Sequence, residues 1–175
     1  VWPLRELRAP LASAMSVVHA PLSGVPGSEA EIRRLAETNA DSGGTRWGQE
    51  MVERLATDGS LTDVQSLELQ VWRFGDDLTW VALNGEPCVD YALSFKARFG
   101  AESTWVSGYA NSTFGYLPNR RLLKEGGYEA YDFIFPSGLP GTFAPEVEDL
   151  VIDGVDALFR QLALESARLA KTNEP

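Results

Sequence analysis

The sequence has few residues that bind metals through sulfur or nitrogen: one cysteine, Cys88, and one histidine, His19, among 175 residues. A single cysteine excludes an internal disulfide, and one cysteine with one histidine excludes a Cys/His zinc cluster. Cysteine usage therefore leaves the redox compartment open.

Basic residues are also scarce, with 15 Lys and Arg against 25 Asp and Glu and a formal net charge of −10. No Lys/Arg-rich run is present, and an acidic surface repels a phosphate backbone, so we expect no nucleic-acid partner. The sequence lacks the run of about 20 apolar residues that a transmembrane segment needs. The first residues contain no apolar signal-peptide region and no initiating Met, which leads us to expect an incomplete or processed chain.

Two catalytic signatures are missing as well. There is no Gly-x-Ser-x-Gly elbow, which disfavours a serine hydrolase, and no glycine-rich phosphate-binding loop. What the chain does have is an ordinary globular composition, with 44% hydrophobic residues, enough to bury one core. We therefore expect one domain, or part of one.

The first third of the chain predicts one strand and two helices. Small and β-branched residues at 12–20 predict a strand that stops at Pro21. A capping-box pattern at residues 28–31 begins a helix that runs to about Thr38. Apolar residues then recur every four positions, which predicts a second, amphipathic helix that ends near Gly59.

The middle of the chain carries the clearest β signal. Alternating residues predict a hairpin over 67–83 with its turn at 75–77. A helix from Pro87 to Gly100 and a strand over 103–110 follow, and this strand–helix–strand order predicts parallel neighbours. The sequence thus predicts an α/β fold, a mixed sheet with flanking helices.

The last part divides into an irregular stretch and a helix. Residues 111–145 show little periodicity and many glycines, prolines and aromatic residues, which predicts an ordered, functional loop region. Residues 146–171 follow helical spacing despite Gly154, so we expect a long amphipathic helix.

Polar side chains follow two strands of the predicted sheet. Glu86 comes just after one strand and Asn111 after the next, and the carboxyl ends of parallel strands form ligand sites in α/β sheets. Glu86 could be a metal ligand or a base, or a helix N-terminal residue stabilised by the helix dipole. The loop around Tyr109 and Tyr116 could bind a ligand, or its tyrosine hydroxyls could satisfy backbone groups.

Four segments in this order resemble the neutral/alkaline ceramidase family, and more closely its ceramidase-like bacterial branch. They are LQVWRFGD at 69–76, VALNGE at 81–86, GYANSTFGY at 108–116 and GGYEA at 126–130. The resemblance covers roughly residues 65–135. It implies that the chain is the C-terminal portion of a larger ceramidase-type catalytic domain.

Members of that family hold a zinc ion with two histidines, a glutamate and a tyrosine. The resemblance implies that Glu86 and Tyr116 are metal ligands and that Tyr128 stabilises the tetrahedral intermediate. It implies hydrolysis of an N-acyl amide bond, in ceramide or a related lipid amide. It further implies an extracellular or periplasmic protein and a membrane-surface association of the full protein.

The sequence departs from the family in two ways. The two histidine ligands have no counterpart, since His19 stands where the family has an apolar strand end and is interpreted as structural. Two ligands hold zinc poorly, because catalytic zinc usually takes three, so we expect the isolated chain to be inactive. Pro87 and Cys88 replace small hydroxyl residues, which leaves the substrate open. Cys88 could be a reactive thiol at a helix start, although a packing role is favoured.

The alternative function is a non-catalytic binding or scaffold module that keeps the fold without the metal. Glu86, Tyr116 and Tyr128 occur together, and this favours the enzyme.

Overall fold

A computed structural model describes residues 6, 7 and 10–172, with side chains as far as residue 165. The strands along these residues are β1 (Leu11–Ser23), β2 (Val64–Phe74), β3 (Leu78–Leu83), β4 (Glu86–Pro87), β5 (Thr104–Ser107), β6 (Tyr116–Leu117) and β7 (Thr142–Phe143). The α-helices are α1 (Glu29–Thr38), α2 (Gly44–Asp58), α3 (Val89–Phe99), α4 (Arg120–Glu125), α5 (Ile134–Ser137) and α6 (Val147–Thr172). A π-helical turn covers Tyr128–Asp132.

The main sheet is mixed and has five strands in the order β5-β3-β2-β1-β7. The pairs β1–β2, β2–β3 and β1–β7 are antiparallel, whereas β3 and β5 are parallel and joined through α3. The predicted α/β class, the hairpin and the parallel pair are therefore confirmed. A separate small sheet pairs β4 with β6.

Helices α6 and α3 pack against one face of the main sheet and bury the larger core. Gly154 allows α6 to approach closely, since a Cβ there would lie 2.5 Å from Leu69 Cδ1 on β2. Phe99 of α3 stacks on Phe159 of α6 with 4.3 Å between ring centroids. Among the described residues, none of the helices is long and apolar enough to cross a membrane.

Helices α1 and α2 form a second, smaller cluster around Trp47, whose indole N–H donates to the Leu139 carbonyl at 2.7 Å. The predicted cap is present: the Ser28 hydroxyl accepts from the Glu31 N–H at 3.3 Å. The Glu31 carboxylate accepts from the Gly27 N–H rather than from that of Ser28. The end of α2 at a left-handed Gly59 is also confirmed.

Four predicted boundaries were wrong. β1 does not stop at Pro21 but continues to Ser23, because pairing with β7 begins where pairing with β2 ends. Pro87 belongs to β4, and α3 begins after a Cys88 N-cap. The strand predicted over 103–110 is shorter, because residues 108–115 turn back toward Gly85. Residues 111–145 contain short strands and helices rather than a loop alone.

The other face of the main sheet remains exposed among the described residues. Cross-strand neighbours Trp72, Trp80 and Trp105 form a row across β2, β3 and β5. Trp105 is 62% exposed, and Met15 on β1 is 59% exposed. We call this surface, with Leu11 and Val17 of β1, the open face.

Candidate functional site

The small sheet brings Glu86 and Tyr116 together. Glu86 is the direct partner of Tyr116 in the parallel β4–β6 pair, so both side chains project from the same face. The Glu86 N–H donates to the Gly115 carbonyl at 2.8 Å, and the Cys88 N–H donates to the Leu117 carbonyl at 3.2 Å. These bonds fix the register of the two predicted metal ligands.

Buried Asn84 anchors the loop that precedes Tyr116. Its side-chain carbonyl accepts from the Glu68 N–H at 3.3 Å, and its amide donates to the Ser112 hydroxyl at 3.3 Å. The Gly85 N–H donates to the Ser112 carbonyl at 2.9 Å. The loops that follow the parallel strands β3 and β5 therefore lie side by side.

The phenols of Tyr109 and Tyr116 line the same cavity as the Glu86 carboxylate. The negative charge of Glu86 raises the pKa of Tyr116, since a second anion beside it would be repelled. The nearby Glu86 carboxylate likewise raises the pKa of Tyr109. Both phenols are therefore neutral donors at neutral pH in the protein as described.

Tyr128 lies against Tyr116, with 5.8 Å between ring centroids and 80° between ring planes. It opens the π-helical turn directly after two glycines with positive φ, Gly126 and Gly127. Such single π turns are frequent at functional sites. Glu86, Tyr116 and Tyr128, predicted separately along the sequence, thus form one cluster, and Tyr128 remains 49% exposed.

A cavity of about 360 Å³ adjoins this cluster. Its walls combine apolar side chains with two carboxylates, two phenols and one thiol. The lining residues are Glu86, Pro87, Cys88, Val89, Ala92, Val106, Gly108, Tyr109, Tyr116 and Glu129. A larger groove, of about 650 Å³, lies on α1 and α2 and contains none of the predicted site residues.

The local alternatives can now be compared with the structure. Glu86 lies in β4, two residues before the N-cap of α3, so its interpretation as a helix N-terminal residue was wrong. Backbone satisfaction accounts for Tyr91 and Tyr131, whose hydroxyls donate to the carbonyls of Pro118 and Leu123. The phenols of Tyr109 and Tyr116 instead line the Glu86 cavity, where the Glu86 carboxylate raises the pKa of both.

Sequence reasoning missed two residues of this site. Tyr109 was considered only as part of an aromatic loop, and Glu129 was quoted only within a matching segment, yet both line the cavity. The strand pattern identified neither, because Tyr109 reaches the site through backbone hydrogen bonds of its loop to Leu83 and Gly85, and Glu129 lies in the π-helical turn. Asn111 lies elsewhere, since its side chain accepts from Gln70 on the open face at 3.1 Å.

Cys88 has the surroundings of a packing residue, whereas His19 is exposed on the sheet surface. Burial raises the pKa of the Cys88 thiol and the nearby Asp90 carboxylate raises it further, which opposes thiolate formation. His19 lies on β1, where its Nδ1 is 3.1 Å from the Ser66 hydroxyl, and it does not line the Glu86 cavity.

Two oxygen donors lie side by side at this site. Glu86 and Tyr116 offer two adjacent oxygen ligands, whereas catalytic zinc usually takes three protein ligands. Within the described residues there is no group of three or more His, Cys, Asp or Glu side chains that could hold a metal.

No protein-family model, curated protein or solved structure matches this chain.

Proposed function

We propose that this chain supplies the oxygen half of the active site of a zinc-dependent hydrolase that cleaves N-acyl amide bonds. The pairing of Glu86 with Tyr116, with Tyr128 against the Tyr116 ring, is the observation that carries the proposal. These are the three residues that the ceramidase resemblance implies, and they lie together beside a cavity. Three residues that share a catalytic role must lie at one site.

The residues divide into ligands and a hydrogen-bond donor. Glu86 and Tyr116 would hold the zinc ion together with two histidines from outside the described residues. When bound, zinc acts as a Lewis acid that activates water for attack on a carbonyl. The Tyr128 phenol would donate a hydrogen bond to the substrate oxygen as negative charge develops there, which stabilises the transition state.

The cavity supports a substrate with an apolar body. Its volume of about 360 Å³ lies at the lower end of the range for small-molecule sites, and Pro87, Val89, Ala92 and Val106 form apolar walls. We propose ceramide or a related N-acyl lipid as the substrate, with the full protein at a membrane surface, outside the cell or in the periplasm. Because Pro87 and Cys88 replace small hydroxyl residues of the family, other N-acyl amides belong in the same assay.

We also propose that the chain is part of a larger catalytic domain. The open face supports this, because a sheet with three tryptophans on one side normally packs against another layer. The same layer could carry the histidine ligands. Sequencing of the coding region upstream of Val1 tests the idea: a start codon immediately before Val1, with no histidine-bearing segment, would contradict it.

The decisive experiment measures zinc content and amide hydrolysis in the full-length protein. Glu86→Ala and Tyr116→Phe should each lose bound zinc and activity, because each removes one ligand. Tyr128→Phe should keep its zinc and lose turnover by about 10²- to 10³-fold, the usual effect of removing one such donor.

Tyr131→Phe serves as the control, because the Tyr131 hydroxyl donates to the Leu123 backbone and lies outside the cavity. It should keep both zinc and activity. Normal hydrolysis by both Glu86→Ala and Tyr116→Phe would show that the proposed function is wrong.

The second candidate is a non-catalytic binding module, favoured by the fact that the described residues offer only two of the ligands. It predicts that the full-length wild-type protein binds N-acyl lipid without zinc and without hydrolysis. Product formation by the wild type would exclude it.

A further inference from the structure

Tyr109 has a backbone conformation that is unfavourable for its residue type. Its φ is +57°, in the left-handed region where a Cβ crowds the backbone. Its side chain is 66% exposed, so burial of the ring does not offset the strain. A strained residue at a site suggests a role in that site.

The surrounding backbone holds Tyr109 against the Glu86 turn. Its N–H donates to the Gly85 carbonyl at 2.8 Å, and the next N–H, of Ala110, donates to the Leu83 carbonyl at 3.0 Å. Gly108 packs so closely on Pro87 that an added Cβ would lie 2.5 Å from Pro87 Cδ. The segment is therefore tied to the chain on both sides of Glu86.

Tyr109 and Glu86 consequently line the same cavity, as does Tyr116. We propose that Tyr109 is a positioning residue: its phenol donates a hydrogen bond to the Glu86 carboxylate and holds it toward Tyr116, the partner of Glu86 in the β4–β6 pair. The effect of Tyr109 on metal binding rests on the proposed function, whereas its effect on the orientation of Glu86 does not. Groups that hydrogen-bond to a metal ligand orient it, and their loss typically weakens metal binding about 10- to 100-fold.

The test compares wild type with Tyr109→Phe, which keeps the ring and removes the hydroxyl. Crystal structures of the two proteins should show that the Glu86 carboxylate turns away from Tyr116 or adopts several rotamers in the variant. In the full-length protein, zinc competition with a chelator should show that affinity falls about 10- to 100-fold. Glu86→Ala marks the complete loss of the ligand, and Tyr131→Phe should leave the affinity unchanged.

An unchanged Glu86 orientation in Tyr109→Phe overturns the positioning role. So does an unchanged zinc affinity in a protein whose wild type binds zinc. If the wild type takes up no zinc, the proposed function fails, and the orientation of Glu86 alone then decides the role of Tyr109.

Discussion

At the scale of single residues, Gly85 makes the position of Glu86 possible. Its φ of +68° places it in the left-handed region that favours glycine. The space beside it is also filled, since an added Cβ would lie 2.6 Å from Phe114 Cζ and 2.9 Å from the Gly115 carbonyl oxygen. The turn into β4 therefore requires glycine for two separate reasons.

A comparison with Gly59 distinguishes the conformational effect from the steric effect. It has a similar φ of +77° but no atom within 4 Å of the added Cβ. Gly59→Ala should therefore cost only the conformational term, about 1–2 kcal/mol of unfolding free energy. Gly85→Ala should cost that plus about 1–3 kcal/mol for the steric clash.

Urea unfolding of the two variants measures this difference. Gly85→Ala should also shift β4 away from β6, visible as a changed Glu86 environment in a crystal structure. Equal losses of stability in the two variants would show that the Phe114 contact relaxes at no cost.

The sequence identified some single residues of the candidate site and not others. Glu86, Tyr116 and Tyr128 were named before the structure through a family resemblance. Tyr109 and Glu129 were not identified as site residues, because their chemistry depends on which segments lie beside Glu86. Strands of two residues have no measurable period, so β4 and β6 left no signal from which that contact could be inferred.

At the scale of elements, long periodic segments were predictable and short ones were not. The hairpin of β2 and β3 and helices α2, α3 and α6 repeat their pattern over several turns or residue pairs. α4 has only six residues and depends on tertiary contacts. Pro21 suggested a strand end, yet it lies where β1 changes partner, a position that tolerates a residue without an N–H.

Two arginines hold α4 in place beside the site. Arg121 donates to Asp90 of α3 at 2.8 Å, and Arg120 donates to Asp149 of α6 at 2.6 Å. The hydrogen bond from Arg121 lowers the pKa of Asp90 below its usual 3.8. Stability from this pair is therefore present above the unfolded pKa and is lost as the pH falls through the folded pKa.

Arg121→Met removes the charge and the hydrogen bonds but keeps an apolar stem. At pH 7 it should lower the unfolding free energy only slightly, because the Arg121 side chain is half exposed and water screens its charge. The difference from wild type should shrink as the pH falls below 3.8, since Asp90 becomes protonated in both proteins.

Urea unfolding at a series of pH values tests this dependence. Arg33→Met is the control, because its partner Glu29 lies on the same exposed helix, and it should cost about 0.2–0.5 kcal/mol. A difference for Arg121→Met that grows toward low pH would contradict the assignment.

At the scale of the whole molecule, the two faces of the main sheet differ in their surroundings. α3 and α6 cover one face, and the other presents the tryptophan row. The alternation of residues in β2 indicates two different faces. Because Trp72 and Phe74 lie on the uncovered face, however, both faces carry large apolar side chains. Which face is covered depends on where the helices cross, and residue periodicity carries no information on that point.

Neighbouring residues of β5 allow the open face to be tested. Trp105 is 62% exposed on the open face, whereas Val106 faces the core. Trp105→Lys should cost the 175-residue chain about 1 kcal/mol or less, the value of a cross-strand pair with Trp80. Val106→Lys should cost it several times more, because a charge then enters the core.

The same two substitutions, made in the full-length protein, test the proposed larger catalytic domain. If another layer packs on the open face there, Trp105→Lys becomes a buried charge and should destabilise by about 3 kcal/mol or more, while Val106→Lys is costly in both proteins. Denaturant unfolding of the four variants, two in each protein, gives the answer. A Trp105→Lys cost that stays small in the full-length protein would mean that no layer covers the tryptophan row, and the histidine ligands would then have to reach Glu86 by another route.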